Sequence, residues 1–265
     1  TWWINSIVYA NEQKTNSYIT YKQLKLTNGQ KLHIGKISIE HTKIKIAAPE
    51  PHTKLETTEN IIKTTPAIMA INGSFFNTDG RTSVSLKTNS KWIKSPSSIK
   101  RGVVGWYKDK RNKSQFVFDR LYRNKNKKIQ SVYSKDKWWE KAKWLIGGYP
   151  LLIKDHKILE TSSERLASKF LNNQYARTAI CKSKKYLFFV VAEGGDAIVR
   201  KWLYSSPGMS IKQLAVFLRD KLHCSDALNL DGGHSSALIY NKKRMNTPIF
   251  FLLPPRKIAN TIIAY

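Results

Sequence analysis

Acidic residues are scarce in this chain: 18 Asp and Glu face 46 Lys and Arg across 265 residues, for a formal charge of +28. So large an excess is attractive to polyanions, whether nucleic acid, an anionic membrane face or a phosphate-rich glycan. Histidines are few and scattered, and no two stand four residues apart, which removes the usual helical metal-binding pair. Asn77, Asp79 and Gly80 begin like a calcium loop, but the closing glutamate is missing at the required spacing. No metal and no cofactor are therefore expected. No apolar run is long enough to span a bilayer, and Leu187 to Ala192 has the length of a buried strand. No Pro/Gly/Ser-rich linker and no repeat divides the chain, so one domain is expected over residues 18–265. Residues 1–17, with Trp2, Trp3 and Ile4, read as a stub left by a removed signal or anchor.

The basic residues cluster. Between Lys87 and Lys128 fourteen Lys or Arg stand against Asp109 and Asp119, interleaved with Trp92, Trp106 and Tyr107. Charge plus stacking of this kind can hold a nucleic-acid strand. The excess runs through the whole chain, however, so a solvated lysine-rich surface is the favoured reading.

Hydrophobic alternation dominates the pattern. Tyr18 to Ala48 reads as three or four antiparallel strands with a hairpin turn at Asn28-Gly29. A short helix is expected over Glu56–Lys63, then a strand from Pro66 into Asn72. Further strands are expected at Val103–Trp106, Phe116–Phe118, Trp144–Ile146, Leu151–Ile153, Ala176–Lys182, Tyr186–Ala192, Ala227–Asp231, Ser236–Tyr240 and Ile258–Ala264. Ser210 to Leu222 has the apolar spacing of a capped amphipathic helix. The sum is an α+β domain around a mixed, mainly antiparallel β-sheet with few packed helices.

Two acids end apolar strands beside glycine pairs: Asp231 before Gly232-Gly233 and Glu193 before Gly194-Gly195. Glycines there let the backbone turn and approach a ligand, although Asp-Gly is also the commonest hairpin turn. Two carboxylates at strand ends suit glycoside hydrolysis, one attacking or activating water and one handling a proton. Arg177 lies in an apolar strand, where a guanidinium needs a carboxylate or a bound anion as partner. Asn72 could donate from its amide while Gly73 offers a backbone N–H. Gly233-His234-Ser235-Ser236-Ala237 nearly fits a nucleophile elbow, but no Asp, Glu or His follows Ala237, which argues against a serine hydrolase.

Five segments in order resemble the phosphodiester glycosidase family: Ala70 to Phe76, Ala176 to Ile180, Gly208 to Leu218, Asn229 to Ser236, and Pro255 to Asn260. The resemblance runs from about Tyr18 to the C-terminus. The chain departs from it at His234 and Cys181, where the family usually has glycine, and at Gln174 or Tyr175, where it commonly has histidine. Cys181 and Cys224 follow segments that the family places near each other, which leaves a disulfide and two buried thiols as alternatives.

The resemblance implies an exported hydrolase, in the extracellular space, periplasm or cell envelope, that cleaves a sugar-1-phosphodiester bond in a phosphate-containing glycan. Asp231, Glu193, Arg177 and Asn72 are then the expected catalytic residues, meeting in one cleft. Gly73, Ser74, Gly148, Thr178, Gly232, Gly233, His234, Ser235 and Ser236 are expected to bind substrate, with Arg177 and glycine-loop N–H groups on the phosphate. The alternative is a basic, non-catalytic binding module for anionic glycan or nucleic acid, of which nucleic acid is the less favoured.

Overall fold

The computed structural model describes residues 6–14, 17–195, 206–249 and 254–265; the Trp2-Trp3-Ile4 stub lies outside them. The chain opens with β1 (Ile7–Lys14), β2 (Ile19–Leu26), β3 (Lys31–Ser38) and β4 (Ile44–Ala47), then α1 (Thr58–Ile62) and β5 (Met69–Asn72). A middle block holds β6 (Leu86–Thr88), β7 (Lys91–Lys94), β8 (Arg101–Lys108), β9 (Ser114–Arg123) and β10 (Ile129–Ser131). It continues through α2 (Trp138–Lys141), β11 (Trp144–Gly148), β12 (Leu151–Lys154), β13 (Lys157–Ile158) and α3 (Ser168–Asn172). The last third is β14 (Arg177–Ser183), β15 (Tyr186–Ala192), α4 (Ile211–Leu222), β16 (Asp226–Asn229), β17 (Leu238–Tyr240), β18 (Lys243–Arg244) and β19 (Thr261–Ala264).

These strands form three sheets rather than the one expected. The largest has the order β1-β2-β3-β15-β14-β16-β12-β13, the second β10-β9-β8-β11-β6-β7 and the third β18-β17-β5-β19-β4. Every pairing among the described strands is antiparallel, so the α+β class holds without the mixed character. β1 pairs along its length with β2, which places residues 7–14 in the sheet, ahead of the expected boundary at residue 18. No described helix is long and apolar enough to cross a membrane.

Strand alternation divides the core, because successive side chains of a strand point to opposite faces. On β15, Leu187, Phe189 and Val191 join a central cluster with Val104 and Phe118 of the second sheet and Ile71 and Ile262 of the third. Phe188, Val190 and Ala192 face the other way, toward α4. β14 splits likewise: Ile180 enters the central cluster, while Ala179 and Cys181 face the helix. Cys181 is joined by a disulfide to Cys224, just past the end of α4.

Helix α4 starts where the sequence says it should. The Ser210 hydroxyl accepts the Gln213 N–H at 3.2 Å, and the Gln213 side chain accepts the Ser210 N–H at 2.8 Å, so both exposed donors are satisfied. Ile211, Leu214, Ala215, Phe217 and Leu218 form the buried stripe. His223 ends the helix in the left-handed conformation, φ 53°. Packing should therefore outweigh capping. Leu214→Ala is expected to lower the unfolding free energy by roughly 2–5 kcal/mol, and Ser210→Ala by about 1 kcal/mol. Urea titration of both variants checks this, and equal losses would show that the stripe is not what holds the helix.

Candidate active site

β5 leaves the third sheet at Asn72, and everything around Asp231 is organised from that point. Asn72 is fully buried, which a carboxamide tolerates only when its polar atoms are paired. Its Nδ2 donates to the Asp231 carbonyl at 2.6 Å, and its Oδ1 accepts the Thr178 hydroxyl at 2.8 Å and the Ala237 N–H at 3.0 Å. The Asp231 N–H returns to the Gly73 carbonyl at 3.2 Å. Thr178 also meets the Ser236 hydroxyl at 3.2 Å. The side chain expected to donate to substrate thus positions the Asp231 loop, through its carbonyl oxygen and one Nδ2–H.

The Asp231 carboxyl accepts from the Ser235 side chain and the Gly232 N–H. Burial pushes its pKa up to about 6, against the pull of Ser235, the Arg256 charge and Gly232. The residue as a whole keeps partial access to solvent, and neighbouring His234 is exposed.

The other expected backbone donors are also occupied. The Gly73 N–H donates to the Asn260 carbonyl at 2.9 Å, and a side chain on Gly73 would collide with Asn260. Asn260 Oδ1 accepts the Ser74 N–H, and its Nδ2 donates to the Ser74 hydroxyl. The Gly233 N–H donates to the Ala176 carbonyl at 2.8 Å, and a Cβ on Gly232 would lie 2.7 Å from that same oxygen. Gly148 is glycine for close packing as well, since a Cβ there would strike the Asn229 carbonyl. These glycines let backbone segments touch; the N–H groups of Gly73 and Gly233 are not left for a phosphate.

Glu193 follows Val191 and Ala192, so alternation turns it to the central face, the one that Thr178 occupies on the paired strand. Its Oε1 accepts His33 Nε2–H at 2.8 Å and the Thr247 N–H at 2.8 Å, and the Tyr21 hydroxyl and His33 Nδ1 share a hydrogen bond at 2.7 Å. Burial opposes its ionisation, but the hydrogen bond and charge of His33, with Thr247 and Lys31, outweigh it and hold the pKa below the usual carboxylate range. Burial, then the Glu193 charge, raise the Tyr21 phenol. Neither His33 nor Tyr21 stood out in the sequence, where an isolated residue on an alternating strand looks like core.

Arg177 corrects the sequence reading most sharply. Adjacent to Thr178 on β14, it points to the opposite face, with Ala179 and Cys181. Its Nε donates to the Met209 carbonyl at 2.9 Å, and its Nη2 to the carbonyls of Phe170 and Asn173 at 2.7 and 3.0 Å. The guanidinium also lies over the rings of Phe170 and Tyr175. Burial lowers its pKa to about 10, which leaves it charged. Its partners are neither carboxylate nor anion but backbone carbonyls, of Phe170 and Asn173 in and just after α3 and of Met209 ahead of α4.

Asp231 has neighbours the sequence did not single out. Tyr149 stacks on Phe75 with ring centroids 3.8 Å apart, and the Arg101 guanidinium lies 4.5 Å above the Tyr149 ring. Burial, then the Asp231 charge, raise the Tyr149 phenol, while Arg101 pulls it down. Arg256 lies over Phe76 at 5.4 Å. Arg101 was one cation among fourteen in its stretch, with nothing to mark it.

Arg177→Lys should lower thermal stability, since one ammonium cannot reach all three carbonyls and a buried acceptor left bare costs about 1–3 kcal/mol. Differential scanning calorimetry checks this. A variant as stable as the parent but unable to bind phosphate would restore the expected clamp.

A fold of this kind has solved counterparts. A hypothetical protein from Synechocystis superposes with a TM-score of 0.74 at 14% identity, covering 97% of this chain and 63% of its own. The zebrafish N-acetylglucosamine-1-phosphodiester alpha-N-acetylglucosaminidase catalytic domain, auto-inhibited by its pro-peptide, gives 0.67 at 22% identity, covering 97% and 88%. At such identities the likeness is one of fold. Curated protein sequences give no match. The phosphodiester glycosidase family model matches residues 65–265, a span that holds Asn72, Arg177, Glu193 and Asp231, and the chain belongs to the phosphodiester glycosidase family.

Proposed function

We propose that this protein hydrolyses the bond between a sugar and the phosphate of a sugar-1-phosphodiester, within a phosphate-containing glycan. The observation that carries the reading is Asp231: its backbone is held by Asn72 and its carboxyl by Gly232 and Ser235 at the end of an apolar strand, with its pKa pushed up to about 6. A base near that value is largely ionised at neutral pH yet still basic enough to take a proton. The leaving group asks for little help, because a phosphate monoester has a second pKa of about 6. In the proposed step Asp231 takes a proton from water, the water oxygen bonds to the anomeric carbon, and the carbon–oxygen bond to phosphate breaks. The phosphate leaves with the bonding pair. Glu193, held ionised by His33, would supply a second negative charge that favours the positive charge building on the sugar.

Export is proposed with it. A Cys181–Cys224 disulfide suits an oxidising compartment. The +28 charge suits a protein drawn to a phosphate-rich polymer, or to an anionic membrane surface that carries one.

Asp231→Asn should abolish most release of free N-acetylglucosamine from its 1-phosphate methyl ester, while kcat/KM of the parent should rise with pH through about 6 as the carboxylate forms. Stability should move the opposite way. A carboxyl whose folded pKa is raised binds more protons folded than unfolded, so parent stability falls as pH climbs from about 4 to about 6. A rise from 3.8 to about 6 corresponds to about 3 kcal/mol, which Asp231→Asn should recover in part at pH 7. Normal turnover by the variant would remove Asp231 from the chemistry.

A further inference from the structure

Breaking a sugar–phosphate bond leaves charge on phosphate, and the guanidinium expected to meet it is bonded instead to the carbonyls of Met209, Phe170 and Asn173. Two other arginines flank the Asp231 loop. Arg101, at the start of β8, is half-buried, with its guanidinium against the Tyr149 ring, and its Nη1 is buried with no hydrogen-bond partner among the described residues. An unpaired donor on a buried cation is costly and therefore rare unless a partner arrives with the ligand. Tyr149 is stacked on Phe75, whose chain neighbour Phe76 carries Arg256 over its ring. Each cation is thus stacked on an aromatic ring, Arg101 on Tyr149 and Arg256 on Phe76. Both are tied electrostatically to the same place: the Arg256 charge acts on Asp231, and the charges of Asp231 and Arg101 act on Tyr149.

Arginine suits this task for a stated reason. Its planar fork can present two parallel donors to phosphate oxygens, and stacking on an aromatic ring holds the fork in place. We infer that Arg101, stacked on Tyr149, and Arg256, stacked on Phe76, form the phosphate-binding end of the site, with Arg101 Nη1 completing its hydrogen bonding on a phosphate oxygen. Exposed Arg256 draws the anion in and half-buried Arg101 fixes it. The ligand is a phosphate ester, as monoester product or as diester substrate. The assignment rests on the phosphodiester reading but is separable from it, because phosphate binding does not require turnover.

The test is calorimetric titration of the folded protein with methyl phosphate at pH 7. Arg101→Gln is expected to weaken binding by at least about tenfold, the scale of one charge-assisted contact, and Arg256→Gln in the same direction. Lys110→Gln, an exposed cation in the β8–β9 turn, should stay within about twofold of the parent if local geometry outweighs net charge. A parent that shows no saturable methyl phosphate binding overturns the assignment. So does unchanged affinity in folded Arg101→Gln, or an equal loss in Lys110→Gln. Should Arg101→Gln fail to fold, Arg256→Gln decides, since an exposed side chain can be removed without unfolding the protein. Arginine-dependent binding without sugar release would leave the phosphate site standing and remove the catalytic reading. Sugar release with arginine-independent binding would do the reverse.

Discussion

One buried carboxamide ties this site together. Asn72 ends β5 in the third sheet, Thr178 sits in β14 of the largest, and Asp231 and Ala237 lie on either side of the glycine loop between them. A primary amide has the donors and acceptor lone pairs to serve all three segments at once. An apolar side chain in its place would leave the Ala237 N–H and the Asp231 carbonyl bare, each at the full cost of a desolvated group. The position of the Asp231 carboxyl is therefore inherited from the docking of two sheets. The site is rigid where the core is rigid.

Around that fixed point the fold pushes two carboxyls in opposite directions. In a chain of charge +28, a naive expectation is that every acid is held ionised by its surroundings. Asp231 is instead pushed toward protonation, with its pKa raised to about 6, because burial outweighs the Arg256 charge and the two hydrogen bonds it accepts. Glu193 meets a comparable loss of solvent but gains His33 and Thr247 as specific donors, and these prevail. Net charge sets the field seen from far away. Local partners decide which group carries a proton.

Much of this was legible in the sequence. Alternation placed most of the strands, and Ser210 with Gln213 marked the start of α4, because both signals depend only on neighbours along the chain. The glycine loop after Leu230 announced Asp231 as an acid at a strand end. The number of sheets was hidden: an alternating strand reveals that one face is buried but not which other strands share the core with it. Arg101 and Tyr149 were hidden for a related reason, since each gains meaning only from a neighbour far away in sequence, and Arg256 lay in the resembling Pro255–Asn260 segment with no role attached to it.

Arg177 and Thr178 show how narrow the margin is. Sequence reasoning placed a charged residue in an apolar strand and asked which anion it meets, but a buried guanidinium can also be satisfied by carbonyl oxygens where loops cross a strand end. Phe170, Asn173 and Met209 supply three of them. Because a strand reverses its face at every residue, giving Arg177 to those loops gives Thr178 to Asn72, and with it the link to Asp231. A one-residue slip of β14 would put a cation where the site needs a small hydroxyl. The same alternation on β15 sends Ala192 to the helix and Glu193 to His33. Strand register, fixed over the whole β14–β15 pair by the apolar residues on both faces, is thus what separates Arg177, which holds the scaffold, from Thr178, whose hydroxyl reaches Asn72.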